Sequence, residues 1–251
     1  MTGRIWFLAV VAALAFAPVS VSDAHAQQRV FLRQQQLANC VNEGATVSPQ
    51  VSIQGCTAVI RTQGTPDRVR AQAFTYRGQR YLELGDSDRA LADFSTAIRT
   101  SPTLTMAVAN RAELYMRRRE FSRAVVDYSD YIRFAPVDSF GYNGRCWARA
   151  IWNASLELAR ADCNQALSIS PADARIFDSR GMVGLRQERW QDAWSDYDAA
   201  VHAENHPHYL YGRGIAAIRL GRVAEGQADL AAATALDASI AETYAGYGVT
   251  P

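Results

Sequence analysis

Three stretches of this chain can be laid over one another without a gap: ALADFSTAIRTSP (90–102), AVVDYSDYIRFAP (124–136) and ARADCNQALSISP (159–171). Each has a small residue, then Phe, Tyr or Cys four positions later, and closes on proline. Two weaker copies follow, AWSDYDAAVHAEN (193–205) and GQADLAAATALDA (226–238). Upstream of each lies a matching head: YRGQRY (76–81), NRAELY (110–115), GRCWAR (144–149), SRGMVG (179–184) and GRGIAA (212–217). The period is 34, with one extra residue in the third copy. Self-similarity at a fixed period of this size constrains a chain more than composition does, because it implies one supersecondary unit used repeatedly. Apolar positions recur at helical spacing, as at Leu91, Phe94, Ala97 and Ile98, while Gly85, Gly221 and the Ser-Pro pairs punctuate the helices. A single helical hairpin cannot bury its apolar face, so stacked neighbours must supply the core.

The pattern resembles the tetratricopeptide repeat, a helix-turn-helix unit. Gly78, Tyr81, Ala90, Phe94, Ala97 and Pro102 match that family's signature positions. The fourth and fifth copies depart from it, with Asn205 and Ala238 at the closing proline and Gly226 at the usual alanine. The resemblance implies an all-α, right-handed solenoid of five units, at 71–104, 105–138, 139–173, 174–206 and 207–240. The tail, 241–251, is expected to be a helix that caps the end of the stack.

A further regularity lies outside the family signature. Each unit carries Arg at its seventh position (Arg77, Arg111, Arg145, Arg180, Arg213). Each also carries Asp one residue before the aromatic position (Asp93, Asp127, Asp162, Asp196, Asp229). Matched opposite charges at fixed spacing predict a ladder of bidentate Arg–Asp bridges between facing helices. An arginine track for anionic ligands is the functional alternative.

Four cysteines occupy a related pattern. Cys146 is at position eight of the third unit, and Cys163 is at its aromatic position. Before the first unit, CTAVIR aligns with FSTAIR, which puts Cys56 on Phe94 and Cys40 at position eight. Ser48-Pro49 reads as a helix N-cap followed by proline at the first helical position. Residues 27–70 are therefore expected to form a degenerate hairpin. Pairing of Cys40 with Cys56 and of Cys146 with Cys163 would staple two hairpins, each bridge contributing about 3 kcal/mol. Spacing alone leaves the paired positions about a helical turn off direct opposition. Four buried free thiols, or a crossed pairing, remain open at this stage.

The compartment bears on that choice. The chain begins with a short segment carrying Arg4, then an apolar run from Ile5 to Ala17, Pro18, and Ala24-His25-Ala26. This order predicts an export signal, 1–26, cleaved after Ala26. The apolar run is too short to span a bilayer, which needs about 20 residues. An exported chain with an even number of cysteines favours disulfides. Net charge is +1, so no strong field points to nucleic acid or an anionic membrane.

No catalytic constellation is evident. HAENHPH places His202, His206 and His208 beside Glu204, but Ala203 stands where a zincin glutamate would be, and Pro207 breaks the helix. No catalytic residue, metal or cofactor is expected, and a metal-dependent hydrolase using this loop is the least favoured reading. In the tetratricopeptide family the first helix of each unit lines a concave groove. The resemblance implies that Tyr76, Gln79, Asn110, Glu113, Asn143, Trp147, Asp178, Met182, Tyr211 and Ile215 line it here. Aromatic, apolar and amide groups together suit a protein or peptide ligand. Thr75, Gln79, Phe140 and Gly144 depart from the Lys and Asn carboxylate clamp of chaperone-binding members, and only Asn110 matches it. The expected function is thus a non-catalytic exported scaffold that binds a protein or peptide. The alternative is an assembly factor of an envelope complex that works through its convex face.

Overall fold

Turn chemistry sets the element boundaries. In a computed structural model, residues 21–251 are described, and they form thirteen α-helices. These are α1 (Val21–Val41), α2 (Pro49–Arg61), α3 (Asp67–Glu83), α4 (Ser87–Thr100), α5 (Thr105–Arg117), α6 (Phe121–Phe134), α7 (Ser139–Trp152), α8 (Leu156–Ile169), α9 (Ala174–Arg186), α10 (Trp190–Ala203), α11 (Pro207–Arg219), α12 (Val223–Leu236) and α13 (Ile240–Gly246). The expected leader lies outside the described residues except at its end, where α1 has begun.

Side-chain caps start many of the helices. Ser48, Asp86, Asp138 and Asp173 accept from backbone N–H groups of α2, α4, α7 and α9, and Pro49 and Pro207 stand at first helical positions. The turn inside each repeat is a Schellman motif. Gly85, Arg119, Asn153, Glu188 and Gly221 adopt positive φ. The next residue's N–H reaches back to the helix, as in Asp86 N to Tyr81 O at 2.8 Å and Glu120 N to Tyr115 O at 2.8 Å. Consecutive helices thereby reverse direction and pack as hairpins. The first helices of the units also touch laterally, α3 with α5, α7 with α9 and α9 with α11, and so line one side of the stack.

Inside the hairpins of the first and fourth units a large side chain sits on a small one. A Cβ on Gly78 would lie 2.6 Å from the Phe94 ring. Tyr197 is wedged between Gly181 and Gly212, where a Cβ would meet its ring at 2.8 and 2.3 Å. In the third unit the same place is taken by the Cys146–Cys163 disulfide, with a Cα separation of 5.5 Å. In the α1–α2 hairpin it is taken by Cys40–Cys56, at 4.4 Å. The two positions face each other directly, and the helical-turn offset inferred from spacing does not arise. All four sulfurs are engaged, so neither free thiols nor crossed pairing is present.

The C-terminal helix departs from expectation. A cap would cover the far side of α12, whose Val223 and Leu236 remain exposed. Instead α13 and the residues after it fold back over the first helices of the units, and Tyr244 is fully buried. The physical reason is its aromatic content: Tyr244 and Tyr247 find rings to pack on there, whereas the outer face of α12 is mostly alanine.

Candidate functional site

The concave side divides into two halves. Over α3, α5 and the start of α7 it is open. Tyr76, Gln79, Asn110 and Asn143 are half-buried there, and Glu113 is exposed. Gln79 Nε2 donates to Asn110 Oδ1 across the gap between α3 and α5 at 3.2 Å, and Asn110 Nδ2 donates to Met106 O at 2.7 Å. This lane ends in a pocket of about 290 Å³ lined by Tyr128, Phe140, Asn143, Trp147, Arg175 and Ile176 among others. Asn143 Oδ1 is buried and has no hydrogen-bond partner among the described residues, so it remains an available acceptor.

The other half is covered by the chain's own tail, and five implied groove residues lie beneath or beside it rather than open to a ligand. Met182, Tyr211 and Ile215 are buried, in one cluster with Tyr244 and Val249. Tyr211 stacks at 4.8 Å on Tyr244. Trp147 meets Tyr247 edge-on at 5.6 Å and His208 at 5.5 Å. Asp178 is held by His208, its Oδ1 being 2.8 Å from Nδ1. The Tyr244 hydroxyl donates to the His208 carbonyl at 2.7 Å.

Main-chain carbonyls of the tail are met by arginines. Arg119 donates to Gly246 O at 2.7 Å. Arg186 donates to Tyr247 O and, at 3.4 Å, to Gly248 O. Arg219 approaches Thr250 O at 3.4 Å. Arg119, Arg186, Arg219, His208, Tyr244 and Tyr247 were not singled out from sequence as groove residues. The available signal was an arginine at or just beyond the end of a first helix in the second, fourth and fifth units, opposite a tail rich in tyrosine.

The three histidines serve separate local roles. His202 Nδ1 lies 2.8 Å from Asp198 O, His206 caps α11, and His208 pairs with Asp178. Among the described residues no three His, Cys, Asp or Glu side chains group in a way that could hold a metal.

The arginine ladder is tighter than the sequence implied. Arg111 gives Nε and Nη2 to the two carboxylate oxygens of Asp127, each at 2.8 Å, and Arg77–Asp93, Arg145–Asp162 and Arg213–Asp229 repeat that fork. Arg180 engages Asp196 through the same two nitrogens. The remaining Nη1 reaches the second helix of the preceding hairpin: Thr57, Ser95, Ser129, Asn164 and Asp198 in turn. Each rung therefore joins three helices, and every guanidinium nitrogen donates within the fold. Asp127 and Asp196 are pushed up by burial, and their guanidinium partners oppose that shift.

Burial also raises several phenols. Tyr197 and Tyr244 are held well above the usual value near 10, and Tyr209 is pushed up to about 12. The folded chain keeps these protons above pH 10, where an unfolded chain releases them. Stability is therefore full below pH 10 and falls as pH rises toward the folded values, by about 1.4 kcal/mol per unit for each phenol held neutral. In an alkaline titration, phenolate absorbance from Tyr197, wedged between Gly181 and Gly212, should appear only as helical circular dichroism is lost. Ionisation of all eleven tyrosines with helicity intact would contradict this burial.

Comparison with known proteins places the fold. No family model matches the chain, and no curated protein does. Solved structures do. A tetratricopeptide repeat protein from Parabacteroides merdae matches over 79% of this chain and 77% of its own, with 15% identity and TM-score 0.69. PilW, a widely conserved type IV pilus biogenesis factor, matches over 71% and 86%, with 15% identity and TM-score 0.61. YrrB, a repeat protein with an unusual peptide-binding site, matches over 74% of this chain and 93% of its own, with 14% identity and TM-score 0.58. Hairpins stacked in register, first helices lining one side, and this likeness together give the chain the tetratricopeptide-repeat fold.

Proposed function

We propose that this chain is a non-catalytic scaffold, exported to an oxidising compartment such as the periplasm, that binds a protein or peptide segment in the open half of its concave groove. The observation that carries the reading is the lane from Tyr76 to Asn143. It holds amide and aromatic groups that are only half-buried, and it ends in a pocket with a free acceptor. An extended peptide offers N–H donors and side chains to such a surface. Likeness to YrrB, described as having a peptide-binding site, supports the same class of ligand. Export is supported by the leader-like first 26 residues and by two disulfides, which persist in oxidising compartments. Among the described residues no helix is long and apolar enough to cross a membrane.

Peptides selected from a random display library on the full chain test this. Asn110→Ala together with Asn143→Ala should weaken the selected peptides at least about tenfold with helicity unchanged. Unchanged affinity would move the weight to the assembly reading. That reading is supported by the likeness to PilW and by exposed Val126, Val137 and Leu158 on the second helices and their loops.

A further inference from the structure

We propose that the C-terminal segment, residues 240–251, is a displaceable occupant of the groove, and that the surface beneath it accepts from a partner a peptide of the same chemistry. That chemistry is two aromatic side chains one helical turn apart, followed by glycine and an aliphatic residue. The inference rests on the groove reading above and extends it to the covered half.

The tail is held as a ligand is held. Its two rings enter a wall of rings, Tyr244 on Tyr211 and Tyr247 against Trp147. Its backbone carbonyls at Gly246, Tyr247 and Gly248 are read by Arg119 and Arg186, side chains from two different units. Carbonyl recognition is indifferent to sequence, so the aromatic pair supplies the specificity. The helix itself spans seven residues, too few to persist alone in water, and its order must come from the surface it lies on. Its contacts at Arg119 and Arg219 lie at an exposed rim, where water can replace them. The link from α12 is short, closed by Ser239 N–H and Oγ donating to Asp237 Oδ1 at 2.8 and 2.7 Å. A link of this length holds the segment at an effective concentration on the order of millimolar, so a free peptide competes poorly until the tail is weakened.

The probe is a fluorescein-tagged peptide of residues 239–251, SIAETYAGYGVTP, titrated against the full chain with and without Tyr244→Ala and Tyr247→Ala. The substituted chain should bind the probe at least about tenfold more tightly than the unsubstituted one. Adding Arg119→Ala and Arg186→Ala should remove most of that gain. Equal affinity for both chains, or no binding to either, overturns the proposal. If the tail substitutions unfold the chain, hydrogen exchange on the unsubstituted protein decides. The amides of Tyr247, Gly248 and Val249, bonded to carbonyls within the tail, should exchange at least about 100-fold faster than those of α9 and α11. Exchange in step with those helices makes the tail an integral part of the core and overturns the proposal. The library test on Asn110 and Asn143 reads the open half, so it separates failure of this inference from failure of the groove reading.

Discussion

Replacing Asp127 with alanine should cost about 3–5 kcal/mol and lower Tm by roughly 10 °C. The carboxylate is 2% exposed, and its removal leaves the Arg111 guanidinium part-buried with one weak acceptor, Ser95 Oγ at 3.3 Å. The cost is that of an uncompensated buried charge and does not measure the worth of the pair. A double variant, Arg111→Met with Asp127→Leu, should accordingly recover most of the loss, because no charge is then stranded. Thermal denaturation of the two variants and the parent checks this. A double variant as unstable as Asp127→Ala would show that the bridge itself, through its reach to α4, carries the stability. An Asp127→Ala variant as stable as the parent would remove the ladder from the account altogether.

The second large effect concerns the Cys146–Cys163 staple. Changing both residues to alanine should destabilise by about 3 kcal/mol, the loop-closure contribution for a separation of 17 residues. A rescue is built into the repeat. In the first and fourth units the same two positions hold a glycine under an aromatic ring, Gly78 under Phe94 and Gly181 under Tyr197. Cys146→Gly with Cys163→Tyr restores that arrangement and should regain about half of what the double alanine loses, by refilling the cavity. Urea denaturation under non-reducing conditions measures both. If the Gly/Tyr pair proves no better than Ala/Ala, the disulfide is more than a substitute for a packed ring.

The repeats were legible because each unit restates the same local demands: a small residue, a side chain that closes over it, an arginine and an aspartate sixteen or seventeen positions apart. Periodicity multiplies a weak signal, so Arg77 and Asp93 could be paired without knowing how α3 meets α4. The third partner of each rung was harder to see. Thr57, Ser95, Ser129, Asn164 and Asp198 share a position but not a chemistry, and their common role is to accept one hydrogen bond. The tail was not legible at all as a groove occupant. It occurs once, and the residues that bury it come from four different units, so no repeating pattern announces it. Tyr211 and Ile215 occupy groove positions in register, yet what covers them is decided by Tyr244 and Val249, some thirty residues later in sequence.

The fold-back of the tail also has a mechanical meaning. A stack of hairpins is an arc that bends by small rotations between neighbours. A segment anchored at Arg119, Trp147, Arg186 and Arg219 runs across that arc as a chord. A chord fixes the radius of the part it subtends and leaves the remainder free to flex. Under a pulling load, extension should therefore begin among α1 to α4, while the stretch from α5 to α11 resists until the chord lets go. The molecule is then a spring with two stiffnesses, and release of twelve residues at one end converts it into a spring with one.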